Sequence, residues 1–369
     1  MYRRSVVHFA LLLCWACREP EQIDTKRLSG SPAERIRDVA LSEARTVALE
    51  RYDPFQFAEI DGARFAVLDH GGKRVLVVDS AGRQVAVLGR PGGGPGELLM
   101  PRALVRMSGS RVGVLDAGKA AIVVFDARGA TSTLRLDSLL AGEQVVPVSA
   151  SAQARGVVLA ASRAQHGHSS EALYSAASGQ VRVIAATEAV RSRPVSLPCG
   201  ITLADEKPFF WPTLRWAVAD GVIYVASDDA YRVLRIRAGS EPAPFIEREW
   251  PRERATPKEG LRYTSGIRAR AMGKECVLSG ADLLTQRGLA PFVPAISHLL
   301  VDPRGRVWVR HQAPDSALSA VDVYSSAGGL VASFSRLPLP VAFLSDALVV
   351  MLEYDADGVA SLALWRVTL

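Results

Sequence analysis

The sequence predicts an all-β chain folded as a six-bladed β-propeller. Three observations carry this reading: strand–turn–strand units recur along the chain, glycine-rich turns separate them, and no long helical period competes. The first two units are the clearest. "FAVLDHGGKRVLVVDSAG" (65–82) and "VGVLDAGKAAIVVFDARG" (112–129) align without gaps at an offset of 47 residues. Val67/Val114, Leu68/Leu115, Asp69/Asp116, Gly71/Gly118, Asp79/Asp126 and Gly82/Gly129 match. Self-similarity at this spacing is the signature of a repeat architecture. Short β-branched runs bounded by glycine and aspartate read as strands and turns.

Taken in order, the chain opens with "MYRRSVVHFALLLCWAC". Arg3 and Arg4 precede a short apolar run, and a small residue, Ala16, precedes Cys17. A run of roughly ten residues is too short to span a bilayer, which needs about 20. The pattern matches a secretory signal, and the cysteine at its end resembles a bacterial lipobox, although Cys14 and Trp15 depart from that pattern. Residues 1–16 are therefore expected to be a signal, with Cys17 as lipid acceptor; an ordinary cleaved signal without lipid is the alternative. Residues 17–44 are expected to be a polar tether and 45–369 the propeller. "RTVALE" (45–50) is the expected strand that pairs with the last blade to close the ring.

The later units are worn. They are "GVVLAASRAQHGHSSEALYSAASGQVRVIA" (156–185), "IYVASDDAYRVLRIRAG" (223–239), "GRVWVR" with "VDVYSSAGGLVASF" (305–310 and 321–334), and the closing "ALVVMLEYDADGVASLALWRVTL" (347–369). No such unit buries both faces by itself, and stacking against neighbours does so. A radial arrangement also limits exposed strand edges.

Between the first two units lies "LGRPGGGPGELLMPRAL" (88–104). A phosphate-binding P-loop needs G-x-x-x-x-G-K-[ST]. No Lys-Ser or Lys-Thr follows these glycines, and Pro91 and Pro95 remove backbone donors. The stretch instead resembles the inter-blade segment of NHL-type six-bladed propellers, with Leu98 where that family usually has Phe. The resemblance is clear over Phe65 to Gly129, and it implies a structural turn between blades.

Composition narrows the partners. The net charge is +6, from 44 basic and 38 acidic residues. The bases are scattered, so no nucleic-acid partner is expected. The densest stretch, "REWPRERATPK" (248–258), is interrupted by acids and reads as a solvated loop. Cys199 and Cys276 could pair in an oxidising space; buried free thiols are the alternative.

Six-bladed propellers of the gluconolactonase or lyase type hold a metal near the central channel, gripped by acids, amides and histidines. His166 and His168 form the chain's H-x-H, but "RAQHGHSSE" reads as a turn tip. His70, His298 and His311 fall in separate repeats. Asp69, Asp79, Asp116 and Asp126 recur at equivalent positions, which points to bonding of turn N–H groups. There is no G-x-S-x-G, so a hydrolase-type serine is unsupported. The most distinctive apolar cluster is "FFWPTLRW" (209–216). Core packing is its default reading; a groove wall is the other, with Phe210, Trp211 and Arg215 as the candidate ligand-binding residues. The expectation is an exported, lipid-anchored, non-catalytic module of the cell envelope that binds a protein, peptide or glycan through blade loops, without a cofactor or metal. The alternative is a metal-dependent enzyme of the lactonase or lyase type.

Overall fold

The computed structural model describes residues 33–39, 41, 56–107, 109–126, 129–136, 145–153, 156–177, 180–237, 240–264, 267–271, 274–311, 319–354 and 360–369. Cys17 and the strand expected at 45–50 lie outside the described residues. No helix among the described residues is long and apolar enough to cross a membrane.

Six antiparallel sheets succeed one another from Ala33 to Leu369. Blade one comprises Phe57–Asp61, Arg64–Asp69, Arg74–Asp79 and Gln84–Leu88. Blade two comprises Pro101–Arg106, Val112–Asp116, Ala121–Asp126 and Gly129–Arg135. Blade three comprises Val145–Gln153, Gly156–Gln165, His168–Ala177 and Gln180–Ala186, with the short Val190–Arg191 added. Blade four comprises Arg215–Ala219, Val222–Ala226, Tyr231–Arg237 and Ala243–Arg248. Blade five comprises Ile296–Val301, Val307–His311, Ser319–Tyr324 and Leu330–Leu337. Blade six comprises Leu339–Phe343, Leu348–Tyr354 and Ala360–Val367, and its fourth strand is Ala33–Asp38 from the other end of the chain.

The strand patterns follow from this stacking. The second and third strands of blade one, "RFAVLD" and "RVLVVD", are buried on both faces because a neighbouring blade covers each side. They therefore read as continuous apolar runs rather than alternating ones. The outermost strand, "QVAVL", alternates between half-buried and exposed, because its outer rim meets solvent.

The core is divided into six inter-blade layers. Apolar clusters join blades one and two, two and three, three and four, four and five, and five and six. The sixth layer packs Phe65, Val67 and Leu76 of blade one against Val350, Leu352 and Leu364 of blade six. That contact closes the ring, and the protein is a six-bladed β-propeller.

Closure uses a different strand from the one expected. Ala33–Asp38 lies within the stretch read as tether, and it pairs antiparallel with Ala360–Val367. Its register shifts between Arg35 and Arg37. "AERIRD" carries only Ala33 and Ile36 as apolar residues, three apart, so the bulge hides the period-2 signal that marks a strand. The strand's end also touches blade one. Gly82 has φ +77°, and a Cβ there would sit 2.7 Å from the Asp38 carbonyl oxygen, so that turn needs glycine.

Three of the four recurring aspartates bond turn N–H groups, as expected. Asp79 accepts from the backbone N–H groups of Ala81 and Arg83, at 2.9 Å each. Asp69 accepts from Gly72 N–H and pairs with Arg74. Fully buried Asp116 accepts from Leu99, Met100 and Gly118 N–H groups, pinning the inter-blade turn to blade two. The glycine run is closed on itself: Leu98 N–H donates to Arg90 C=O at 2.7 Å, and Gly92 N–H donates to Leu98 C=O at 3.0 Å. Glu97 accepts from Gly94 N–H, while Lys119 Nζ donates to the carbonyls of Gly94 and Glu97. With a lysine drawing its carbonyls inward, the loop is a structural turn.

Candidate functional site

Two insertions sit between blades, and both follow an outermost strand. The first, before Arg215, carries the hairpin Arg193–Ser196 with Thr202–Glu206. The second, before Ile296, carries helix Pro257–Tyr263, the hairpin Ile267–Ala271 with Lys274–Leu278, and helix Gly280–Arg287. Thr256 caps the first of these helices in a reciprocal capping box with Glu259. The stretch 248–258 is thus only partly a solvated loop: Pro251 to Arg254 are exposed, whereas Trp250 packs into the layer between blades four and five.

The insertions are knit together. Cys199 and Cys276 form a disulfide with Cα atoms 5.6 Å apart. Phe209 N–H donates to Gly288 C=O, and Ala290 N–H donates to Phe209 C=O. Val195, Leu197, Leu278 and Leu283 form a small apolar core around the disulfide. Together the two segments make a cap over blades three to five.

Beneath the cap lies a cavity of about 440 Å³, lined by both insertions and by residues of blades three, four and five. "FFWPTLRW" splits at its edge. Leu214 and Trp216 turn into the core between blades three and four, where Trp216 Nε1–H donates to Ser149 Oγ. Phe209, Phe210, Trp211, Thr213 and Arg215 line the cavity. Phe210, Trp211 and Arg215 therefore share one cavity wall.

The sequence offered no signal for the other lining groups. Lys207 pairs with Glu171 at 2.7 Å, and the second Glu171 oxygen accepts from Leu214 N–H at 2.8 Å. Arg287 stacks 4.1 Å above the Phe209 ring, donates to Lys207 C=O, and lies 3.6 Å from Glu206. Burial pulls the Arg287 guanidinium below its usual range, and Glu206 offsets part of that. Arg310 enters from the second strand of blade five, opposite His298 in the sheet register. Its guanidinium lies 3.4 Å from His298 Nδ1. Thr213 Oγ1 is buried and has no hydrogen-bond partner.

The histidines do not converge. His298 and His311 belong to one sheet rather than to separate repeats, because their strands, Ile296–Val301 and Val307–His311, pair directly. His298 faces the cavity, whereas His311 packs against Tyr231 and Trp250 between blades four and five. His70 Nδ1 lies 3.2 Å from the Pro101 carbonyl. His166 and His168 are exposed at a hairpin tip, with His166 at φ +51°.

The central channel is lined by the innermost strands of all six blades, with a cavity of about 130 Å³. Its walls are mostly apolar, with Ala58, Ala150, Ala217 and Ala342 beside larger groups such as Phe57, Trp216 and Phe343. Among the described residues its one carboxylate is Glu59. Burial pushes that group above the usual carboxylate range, and the Arg106 guanidinium 3.0 Å away pulls it part of the way back. Among the described residues no three His, Cys, Asp or Glu side chains are grouped to hold a metal ion. Divalent cations take several oxygen or nitrogen ligands, and a single carboxylate already paired with arginine does not fit one.

No protein-family model matches the chain, and no curated protein matches it. Several solved structures are similar in fold. A Bacteroides fragilis protein described as exported aligns with TM-score 0.44 and 11% identity, over 92% of this chain and 97% of the other. A protein assigned as a gluconolactonase gives TM-score 0.44 and 11% identity over 92% and 95%. Virginiamycin B lyase from Staphylococcus aureus, in complex with quinupristin, gives TM-score 0.39 and 10% identity over 90% and 87%.

Proposed function

We propose that this chain is an exported, lipid-anchored binding module whose ligand site is the capped cavity over blades three to five. The observation that carries the reading is the convergence of Phe210, Trp211 and Arg215 on one cavity with a buried, unpartnered Thr213 hydroxyl. An aromatic wall with a few placed polar groups is the usual make-up of a ligand site. Loops set on a rigid scaffold suit recognition. Export is supported by the basic, then apolar, then small-residue pattern ahead of Cys17 and by the Cys199–Cys276 disulfide. The size of the cavity favours a small molecule, or the end of a peptide or glycan chain, over a folded protein surface.

The test is a binding screen of short peptides and oligosaccharides against the purified protein, with Trp211→Ala alongside. A ligand of this site should lose about 30-fold in affinity in the variant, the usual cost of truncating an aromatic anchor. A ligand that binds both proteins equally, and is weakened instead by Glu59→Gln in the channel, would place recognition elsewhere.

A further inference from the structure

We infer that the Cys199–Cys276 disulfide is a redox clasp for the capped cavity: a dithiol that reduces it releases the cap as a unit and opens the cavity, while the ring stays folded. Its bearing on ligand release rests on the cavity being the ligand site. The cap is built from pieces that do not hold themselves. One hairpin has strands of four and five residues, the other of five and five. The two helices have seven and eight residues. Hairpins and helices this short are marginal in water on their own. Their shared core is small, with Val195, Leu197, Leu278 and Leu283 packed around the disulfide. The layers of the ring, by contrast, are buried between four-stranded sheets, as between blades one and two.

The ring holds the roots of the insertions, and the disulfide joins them further out. Ser192 N–H donates to Gly167 C=O on blade three, and Ala295 N–H donates to Asp229 C=O on blade four. Cys199 sits in the turn between Arg193–Ser196 and Thr202–Glu206, and Cys276 lies within Lys274–Leu278. The two cysteines are 77 residues apart in sequence. A cross-link closing so long a loop removes much of the freedom of the open state. Among the described residues no other covalent bond joins the insertions. The ties that remain on reduction include the Phe209 hydrogen bonds to Gly288 and Ala290, and the exposed pair between Ser196 and Gln286. Segments with few buried contacts and exposed hydrogen bonds open before the rest of a fold. The cavity takes Phe209, Phe210 and Trp211 from the first insertion and Arg287 and Pro294 from the second, so parting the insertions removes two of its walls.

The two sulfurs differ in access. Cys199 is half-buried between exposed Pro198 and Gly200, whereas Cys276 is 6% exposed. Exchange depends on which sulfur a thiolate reaches. The first thiolate of the reductant therefore bonds to Cys199 Sγ, the S–S bond breaks, and Cys276 leaves as a thiolate and takes a proton. The second thiol of the reductant then displaces Cys199, which also leaves as a thiol. Two electrons pass from the dithiol, which becomes a disulfide, and its two protons end on Cys199 and Cys276.

The test is hydrogen exchange of the full-length protein, read by mass spectrometry before and after dithiothreitol, with alkylation of the freed thiols to confirm reduction. Amides of residues 193–206 and 274–288 should exchange about a hundredfold faster in the reduced protein, the usual worth of a disulfide that closes a long loop. Amides of residues 65–79 and 112–126, in blades one and two, should keep their rates. The double variant Cys199→Ser, Cys276→Ser should show the same pattern without reductant. Acrylamide should also quench Trp211 more strongly in that variant, read as the difference from its Trp211→Phe counterpart. Cap amides equally slow in both forms overturn the inference. Loss of protection in every blade overturns it too, because the disulfide would then hold the whole fold rather than the cap. A monothiol such as glutathione should form its mixed disulfide on Cys199 in peptide mapping; capture at Cys276 instead overturns the order of attack. No ligand enters these readouts, so their failure leaves the cavity's role standing, and failure of the Trp211→Ala binding test leaves the clasp standing.

Discussion

Asp322 shows how one buried carboxylate ties two blades together. It lies on the third strand of blade five and accepts from Tyr231 Oη and Arg248 Nη1 of blade four, at 2.6 and 2.7 Å, and from Ser333 Oγ at 2.6 Å. Arg248 lies over the rings of Tyr231 and Trp250. Burial alone would raise the Asp322 pKa, but the neighbouring His311 and the hydrogen bonds from Ser333 and Tyr231 outweigh it and hold the carboxyl at about 2. Burial and the Asp322 charge push the Tyr231 phenol the other way, so it remains a donor. The folded pKa lies below the unfolded value of about 3.9. The ionised carboxylate therefore stabilises the protein above that value, and the contribution is lost as pH falls from about 4 towards 2. Its size is on the order of 2 kcal/mol. Asp322→Asn should lower the melting temperature at neutral pH and flatten its fall between pH 4 and 2. An unchanged acid limb in the variant would show that other carboxylates govern that window.

At the scale of elements, the turns and the closing strand follow different physics. The Asp–x–x–Gly turns are self-contained: the carboxylate of Asp79 bonds N–H groups two and four residues on, and Gly82 supplies the positive φ. Ala33–Asp38 has little of its own to bury and depends on its partner. Val39 N–H continues the pairing to Leu362 C=O, and Arg35 bridges to Glu353, which also accepts from Trp365 Nε1. Deleting residues through Asp38 strips the outer edge of Ala360–Val367, and an unpaired edge is a template for association. The shortened protein should melt about 5 °C lower, the effect of losing a few net hydrogen bonds in a domain of this size, and should self-associate in light scattering. A monomer with unchanged melting would mean that the ring closes without this strand. The cap is the element whose assembly is least local, since its core joins Val195 and Leu197 to Leu278 and Leu283 from a distant part of the chain.

At the scale of the whole molecule, six apolar layers arranged in a circle each pack one blade against the next, and the last layer forms only when blade six meets blade one. The ring is the rigid base, and the cap over blades three to five adds a cavity that the blades alone do not enclose. In the proposed arrangement a lipid on Cys17 holds the protein at a membrane surface. Mass spectrometry of the mature protein should then find Cys17 as the first residue carrying acyl chains, and Cys17→Ser should release the protein from the membrane fraction. An unmodified cysteine in mature protein would remove the anchor and leave a secreted form.

Much of the architecture was legible because its signals are short-range. Val67/Val114, Asp79/Asp126 and Gly82/Gly129 recur because each blade solves the same local problem of strand, tight turn and strand. The glycine run was legible for the same reason, since all its bonds close within the turn or on the next blade. The sequence alone determined the six repeating units, the structural role of the aspartates, and a distinctive aromatic cluster with Arg215 beside it. Tertiary structure decided the rest. It chose Ala33–Asp38 as the closing strand, because pairing with Ala360–Val367 outweighs a weak intrinsic pattern. It brought Lys207, Arg287, His298 and Arg310 to the wall carrying Phe210 and Trp211, because Phe209 docks on Gly288 and Cys199 on Cys276 across some 80 residues of chain. Periodicity records what a residue does for its own strand, whereas a site assembled from four segments is recorded only in how those segments pack.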